Sequence, residues 1–111
     1  MGWEIIYYNA ALQKEIKALP AGIQARYIHL TERMCIYGAN LGMPHTKAMK
    51  DGLFELRMKS QEGIGRVFYC TLVNKRIIMP HSFIKKTKKT PLKELNIARS
   101  RMKEMKANAD T

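Results

Sequence analysis

The segment 53–83 decides the fold, and it reads LFELRMKSQEGIGRVFYCTLVNKRIIMPHSF. It consists of stretches rich in β-branched and aromatic residues, separated by short runs of turn-forming residues. We interpret these stretches as three strands, at 53–59, 65–73 and 76–83. Because the turns at 62–63 and 74–75 are short, we expect the strands to form an antiparallel meander. Pro80 indicates an edge position or a bulge in the last strand.

A strand and two helices are predicted before this segment. Residues 3–8 are aromatic and β-branched, which predicts a first strand, and Asn9 offers an N-cap for the helix that follows. Pro20 ends that helix. Between Pro20 and Gly38, apolar residues recur every three or four positions, which predicts a second, amphipathic helix. Residues 38–52 contain three glycines and a proline, and we interpret them as a loop.

A third helix is predicted after the meander. Thr90-Pro91 is a typical helix start, and apolar residues follow at helical spacing up to Met105. We expect the tail after about residue 107 to be disordered. The predicted order is β-α-α-β-β-β-α, so we expect a single α+β domain over residues 1–111. In this domain a small antiparallel β-sheet has its helices packed on one face, which leaves the other face partly open.

Positive charge is concentrated in the second half of the chain. The sequence holds 20 Lys and Arg against 9 Asp and Glu, a formal net charge of +11. Residues 57–111 contribute 14 basic and 4 acidic side chains, whereas residues 1–56 are almost neutral. This polarisation favours a polyanionic partner, nucleic acid ahead of an anionic membrane, over a basic tail that is merely solvated.

Targeting and redox signals favour a cytoplasmic protein. No apolar run approaches the ~20 residues that a membrane helix requires, and the N-terminus lacks the pattern of a secretory signal. Cys35 and Cys70 lie in apolar patterns without the spacing of metal ligands, so we interpret both as reduced core thiols. We expect no bound metal and a cytoplasmic location.

Cationic side chains are predicted to gather on one face of the meander. Arg57 and Lys59 alternate with apolar residues and therefore share a sheet face with Glu55. Arg66 begins the apolar run of the next strand, and His81 lies on the third. The third strand leads into a basic run that contains Lys85, Lys86, Lys88 and Lys89.

Each of these residues also has a purely structural explanation. Arg57 and Lys59 fit an ordinary solvated strand face, and the lysine run fits a solvated loop. Arg66 fits an ion pair with Glu55, and His81 fits a hydrogen-bonded, half-buried histidine. A structural Arg66 would lose stability first on substitution, whereas a catalytic Arg66 would lose activity first. The predicted convergence of these residues on adjacent strands favours a function.

The sequence contains no familiar catalytic motif. It has no phosphate-binding glycine loop, no nucleophile elbow and no evident pair of catalytic carboxylates. If the protein is an enzyme, its chemistry is expected to depend on cations and to need neither metal nor cofactor. Cleavage of RNA by its own 2′-hydroxyl fits this description, because it needs a base, an acid and cations that stabilise the phosphorane.

Three motifs and a helix pattern follow one another in the second half of the chain. They are LFELR at 53–57, GRVFY at 65–69, HSFIKKTKKTP at 81–91, and then Glu94, Leu95, Ala98 and Arg101. This ordered combination resembles the HigB-like, phage-derived branch of the RelE/ParE toxin superfamily. The resemblance covers most of the chain.

The resemblance implies a toxin of a type II toxin–antitoxin system that cleaves mRNA on the ribosome and inhibits translation. It implies a helix-turn-helix (HigA-like) antitoxin as partner, together with the ribosome and mRNA. Contact with DNA is expected only through the antitoxin, and no membrane is involved. No tyrosine follows Tyr69, so the C-terminal tyrosine of some relatives has no counterpart in this chain.

The resemblance also implies roles for the basic residues. We expect Arg66, with Arg57 as second choice, to stabilise the transition state through its guanidinium. Lys59 would lower the local potential, and His81 would transfer protons, since an imidazole can do so near neutral pH. RNA and ribosome binding is expected from the residues of the lysine run: Lys85, Lys86, Lys88 and Lys89.

Two other functions fit the same sequence. One is a gyrase poison of the ParE type on the same fold, which the cationic sheet face disfavours. The other is a non-catalytic nucleic-acid-binding phage regulator, in which the basic residues serve affinity alone.

Overall fold

A five-stranded sheet and three helices form the computed structural model, which describes residues 2–85 and 89–109. The strands are β1 (Glu4–Tyr7), β2 (Thr46–Ala48), β3 (Phe54–Ser60), β4 (Gly63–Leu72) and β5 (Arg76–Lys85). The helices are α1 (Ala10–Lys17), α2 (Ala21–Tyr37) and α3 (Leu92–Ala109). The sheet order is β1-β5-β4-β3-β2, with β1 parallel to β5 and the other neighbours antiparallel. The predicted α+β class and the meander of β3, β4 and β5 are therefore confirmed.

Capping and turn residues bound several helices and strands at the positions that the sequence predicts. The Asn9 side chain accepts a hydrogen bond from the Leu12 amide at 2.8 Å and so caps α1. Gly38 follows α2 with a φ of 106°, a value that glycine adopts without strain. Asn74 and Lys75 both have positive φ, which suits the tight turn between two twisted strands.

One short element in the predicted loop 38–52 was not expected. Thr46–Ala48 forms β2, which pairs antiparallel with the first residues of β3 at the edge of the sheet. Three residues are too few to display the alternation that identifies a strand, so the glycines and proline around them dominate the pattern. At the other end of the chain, α3 continues to Ala109, and residues 110–111 lie outside the described part.

The expected packing of all helices on one sheet face is wrong. Helices α1 and α2 cover one face, where their apolar residues pack with Leu56, Val67 and Tyr69. Helix α3 covers part of the opposite face, where Ala98 and Met102 pack with Phe68 and Cys70. The reason lies in β4, whose successive residues are apolar and therefore need cover on both sides. None of the helices in the described ranges is long and apolar enough to span a membrane.

A bulge distinguishes the two explanations of Pro80. Phe68 pairs with His81 and Cys70 pairs with Ile78, so one residue of β4 faces two of β5. Since β5 lies between β1 and β4, it is an interior strand, and Pro80 sits in the bulge rather than at an edge. The bulge turns the His81 side chain to the α3 face of the sheet.

Candidate active site

A cationic cavity opens at the end of the sheet that is remote from the β4–β5 turn. Its volume is about 250 Å³, and strands β3 and β4 contribute most of its wall. The residues that line it are Arg26, Pro44, His45, Arg57, Lys59, Ile64 and Arg66. Four of these seven side chains carry a positive charge, so the cavity is suited to an anion.

The register of β3 and β4 brings the predicted cations together. Arg57 lies directly opposite Arg66, and Lys59 lies directly opposite Ile64. Residues that face each other across an antiparallel pair project from the same side of the sheet, which here is the side that α3 partly covers. The predicted alternation along β3 is confirmed, because Leu56 and Met58 are buried on the other side.

Arg66 forms the ion pair with Glu55 that the sequence left open. Arg66 Nε lies 3.1 Å from Glu55 Oε1, and both side chains are almost fully buried. The N–H of Arg66 Nε is not aligned with the carboxylate as in a hydrogen bond, so the attraction is mainly between charges. Arg66 Nη1 also donates to the Gly65 carbonyl at 3.3 Å. With 1% of its surface exposed, Arg66 forms the floor of the cavity.

Burial and like charges act on two cations of this region. Burial lowers the pKa of Arg66, and Arg57 lowers it further, whereas Glu55 opposes both. Burial also lowers the pKa of Lys85, and Arg66 adds to that effect. Lys85 lies opposite Ile64, which lines the cavity, so Lys85 belongs to the same patch of positive charge.

His81 lies outside the cavity. Its Nε2 is 3.0 Å from Glu94 Oε1 on α3, and 11% of its side chain is exposed. Its ring stacks with Phe68 and Phe83 at centroid distances of 6.4 Å. Phe83 lies opposite Arg66 in the sheet, whereas His81 lies opposite Phe68. These contacts match the half-buried, hydrogen-bonded histidine that the sequence offered as an alternative, while its role in proton transfer stays a prediction.

The predicted lysine patch is only partly within the described residues. Lys85 ends β5 beside the cavity, and Lys89 is exposed just before α3. Lys86 and Lys88 lie outside the described residues.

Two residues of the cavity, Arg26 and His45, were not predicted from the sequence. Arg26 comes from α2, whose first turn docks on the β3–β4 hairpin: the Gly22 amide donates to Glu62, and Ile23 packs where Gly65 has no side chain. His45 precedes β2, and its carbonyl accepts a hydrogen bond from the Arg57 amide at 2.8 Å. Both residues reach the cavity through tertiary packing.

The chemistry available to this site follows from its side chains. Guanidinium and ammonium groups can bind phosphate oxygens and stabilise negative charge that develops on them, and His45 adds an imidazole to the lining of the cavity. Within residues 2–85 and 89–109, no three His, Cys, Asp or Glu side chains lie close enough together to hold a metal ion.

Comparison with known families identifies the chain. The profile of the family described as phage derived protein Gp49-like (DUF891) matches residues 14–103, which include every residue that lines the cavity. The chain belongs to the Gp49-like family. Members of this family are related to the RelE and HigB toxins. None of the curated proteins compared with the Gp49-like chain matches it.

A solved structure shows the fold of the Gp49-like chain. A mutant of the E. coli toxin RelE in the free state superposes with a TM-score of 0.65, over 91% of this chain and 98% of that one. The two sequences are 10% identical, so this match shows the fold alone. Family and fold together support a phage-derived toxin of the RelE superfamily, which in general implies an antitoxin partner.

Proposed function

We propose that this protein is a ribosome-dependent mRNA endonuclease, the toxin of a toxin–antitoxin pair that inhibits translation. The observation that carries the proposal is the cavity in which Arg26, Arg57, Lys59 and Arg66 converge from a helix and two strands. Such a concentration of positive charge suits a phosphodiester whose charge increases in the transition state. The RelE-like fold and the Gp49-like family agree with this function.

The proposed reaction is a transesterification within the RNA. The 2′-oxygen of one ribose attacks the adjacent phosphorus, and the bond from phosphorus to the 5′-oxygen of the next nucleotide breaks. A base accepts the proton of the 2′-hydroxyl, and an acid donates a proton to the leaving 5′-oxygen. The products are a 2′,3′-cyclic phosphate and a 5′-hydroxyl, so no outside oxidant or co-reactant is required.

The cations have different proposed roles because they differ in exposure. Arg57 and Lys59 are accessible and contact the phosphate directly. Arg66 lies in the floor and stabilises the phosphorane through its charge, which acts strongly because the site around it is partly desolvated. His45 is the imidazole that lines the cavity and is our first candidate for proton transfer, with His81 as the second candidate.

The remaining partners are proposed from charge and from family. Lys85, Lys86, Lys88 and Lys89 would contact phosphates of ribosomal RNA. A helix-turn-helix antitoxin would neutralise the toxin and carry any contact with DNA.

The experiment that tests this function adds purified protein to three parallel reactions. These are ribosomes translating a defined mRNA, the same mRNA without ribosomes, and gyrase acting on supercoiled DNA. We expect cleavage of the mRNA on translating ribosomes, little cleavage of the free mRNA and unaffected gyrase. Poisoned gyrase with intact mRNA would instead establish the ParE-type function, and binding to RNA without cleavage would establish a regulator.

A further inference from the structure

A carboxylate is buried beneath the cations of the cavity. Glu55 projects from β3 on the same side as Arg57, and only 1% of its surface is exposed. Burying a carboxylate is unfavourable unless charged or hydrogen-bonding partners compensate it. The position is unexpected for a site that binds an anion, because a negative charge there repels the phosphate.

The two oxygens of Glu55 are held from different directions. Oε1 lies 3.1 Å from Arg66 Nε and 3.9 Å from Arg57 Nε. Oε2 accepts a hydrogen bond from the Thr90 hydroxyl at 2.8 Å, just before α3. Rotation of the carboxylate would break at least one of these contacts, so Glu55 is a fixed charge.

Arg57 and Arg66 would repel each other without this charge. They face each other directly across β3 and β4, an arrangement in which like charges are destabilising. Glu55 lies within 4 Å of a guanidinium nitrogen of each. Glu55 therefore offsets the repulsion between the two guanidinium groups. Glu55 and the Gly65 carbonyl, which accepts a hydrogen bond from Arg66 Nη1, hold the Arg66 side chain from two sides.

We propose that Glu55 is a positioning residue, which holds Arg66 in the floor of the cavity and Arg57 beside it in the geometry that RNA cleavage requires. This inference rests on the proposed ribonuclease function. It makes the ion pair of Glu55 and Arg66 part of the mechanism, because an arginine stabilises a transition state only when it is aimed at the developing charge.

The role of Glu55 in alignment can be separated from an effect on affinity. If Glu55 only adjusted the charge of the cavity, its neutralisation to Gln would strengthen RNA binding and leave or raise the cleavage rate. If Glu55 only stabilised the fold, Glu55→Gln would reduce the folded fraction and leave the rate per folded molecule unchanged. A positioning residue behaves differently, since its loss lowers kcat and does not weaken binding.

The kinetic test compares Glu55→Gln with Glu32→Gln, which removes an exposed carboxylate on α2. We expect Glu55→Gln to lower kcat per folded molecule on translating ribosomes by about 10- to 100-fold, as displacements of about 1 Å do. Its affinity for an RNA oligonucleotide with 2′-O-methyl riboses, which cannot be cleaved, should stay equal or increase. Glu32→Gln should leave kcat unchanged. A folded Glu55→Gln variant with the wild-type kcat overturns the proposal.

A second variant and a spectroscopic measurement cover the case in which Glu55→Gln does not fold. Thr90→Val removes the hydrogen bond to one oxygen of Glu55 and keeps the charge of Glu55. We expect a smaller fall in kcat than in Glu55→Gln. In NMR spectra, we expect the Arg66 Nε–H to exchange with solvent faster than in the wild type. An exchange rate equal to that of the wild type overturns the proposal. If the wild-type protein cleaves no RNA, the proposed function fails, whereas the NMR comparison still decides whether Glu55 orients Arg66.

Discussion

Replacement of Arg66 by Met should destabilise the protein unless Glu55 is replaced as well. Met keeps most of the volume of the arginine stem and removes the guanidinium, so it leaves Glu55 buried without its nearest counter-ion. Breaking one side of a buried ion pair costs about 3–5 kcal/mol. Because Glu55 retains the Thr90 hydroxyl at 2.8 Å and Arg57 at 3.9 Å, we expect about 3 kcal/mol. A loss of this size lowers the Tm by roughly 10–20 °C.

The double variant Arg66→Met, Glu55→Gln removes both charges. Replacing both members of a buried ion pair by uncharged residues of similar volume often changes the free energy of unfolding very little. The free energy of unfolding of the double variant should therefore return to within about 1 kcal/mol of the wild-type value. Cleavage should stay low in both variants, because neither has the guanidinium in the floor of the cavity. Stability and activity are thereby separated, which Arg66→Ala alone cannot do.

Urea unfolding followed by circular dichroism measures these free energies, with equal m values as the sign of two-state behaviour. If the loss of stability in the double variant equals the sum of the losses in the two single variants, Arg66 and Glu55 act independently and do not form a stabilising pair. If the double variant cleaves mRNA at the wild-type rate, the Arg66 guanidinium has no part in catalysis.

Two further predictions concern Arg26, which lines the cavity, and Tyr69, which lies in the core. Arg26→Ala should lower the slope of the logarithm of the RNA-binding constant against the logarithm of the salt concentration by about 0.7, the value for one lost phosphate contact. Arg33→Ala, which changes an exposed residue further along α2, should leave this slope unchanged. Equal slopes for the wild type and both variants would show that Arg26 does not contact the RNA. Tyr69→Phe should lower the free energy of unfolding near neutral pH by about 1 kcal/mol, because the hydroxyl donates to the Ala39 carbonyl at 2.7 Å. Burial raises the pKa of Tyr69 to about 12, so the wild type loses stability as pH rises from 10, where the unfolded tyrosine ionises, to about 12. Urea unfolding at pH 8 and 11 should show a smaller loss in Tyr69→Phe, and an undiminished loss would contradict the assignment.

Short-range patterns predicted the parts of the fold that short-range contacts determine. Asn9 caps α1 and Gly38 ends α2 because each acts within a few residues of its own position. The alternation along β3 was likewise readable, since it depends only on the pleat of one strand. The face that α3 covers depends on tertiary packing. A signal for it existed in the unbroken apolar run Val67–Cys70, which is typical of a strand buried on both faces.

The residues of the candidate site likewise fall into two groups, those that short-range patterns predict and those that depend on tertiary packing. Arg57, Lys59 and Arg66 were predictable because they lie on neighbouring strands of a meander whose turns fix the register. Arg26 and His45 could not be predicted, because α2 and the segment before β2 reach the cavity only through packing. From the sequence, a structural and a catalytic role of Arg66 were treated as alternatives. The ion pair of the buried Arg66 with Glu55 makes the two roles compatible.

Attack by the 2′-hydroxyl of the RNA can be tested with an mRNA that carries a single 2′-deoxynucleotide at a mapped cleavage position. Translating ribosomes are given this mRNA or its unmodified counterpart together with the purified protein, and the fragment ends are determined. We expect that the unmodified mRNA yields a 2′,3′-cyclic phosphate and a 5′-hydroxyl, and that the deoxynucleotide abolishes cleavage at its position. Cleavage that persists at the deoxynucleotide, or fragments with a 5′-phosphate, would exclude this reaction.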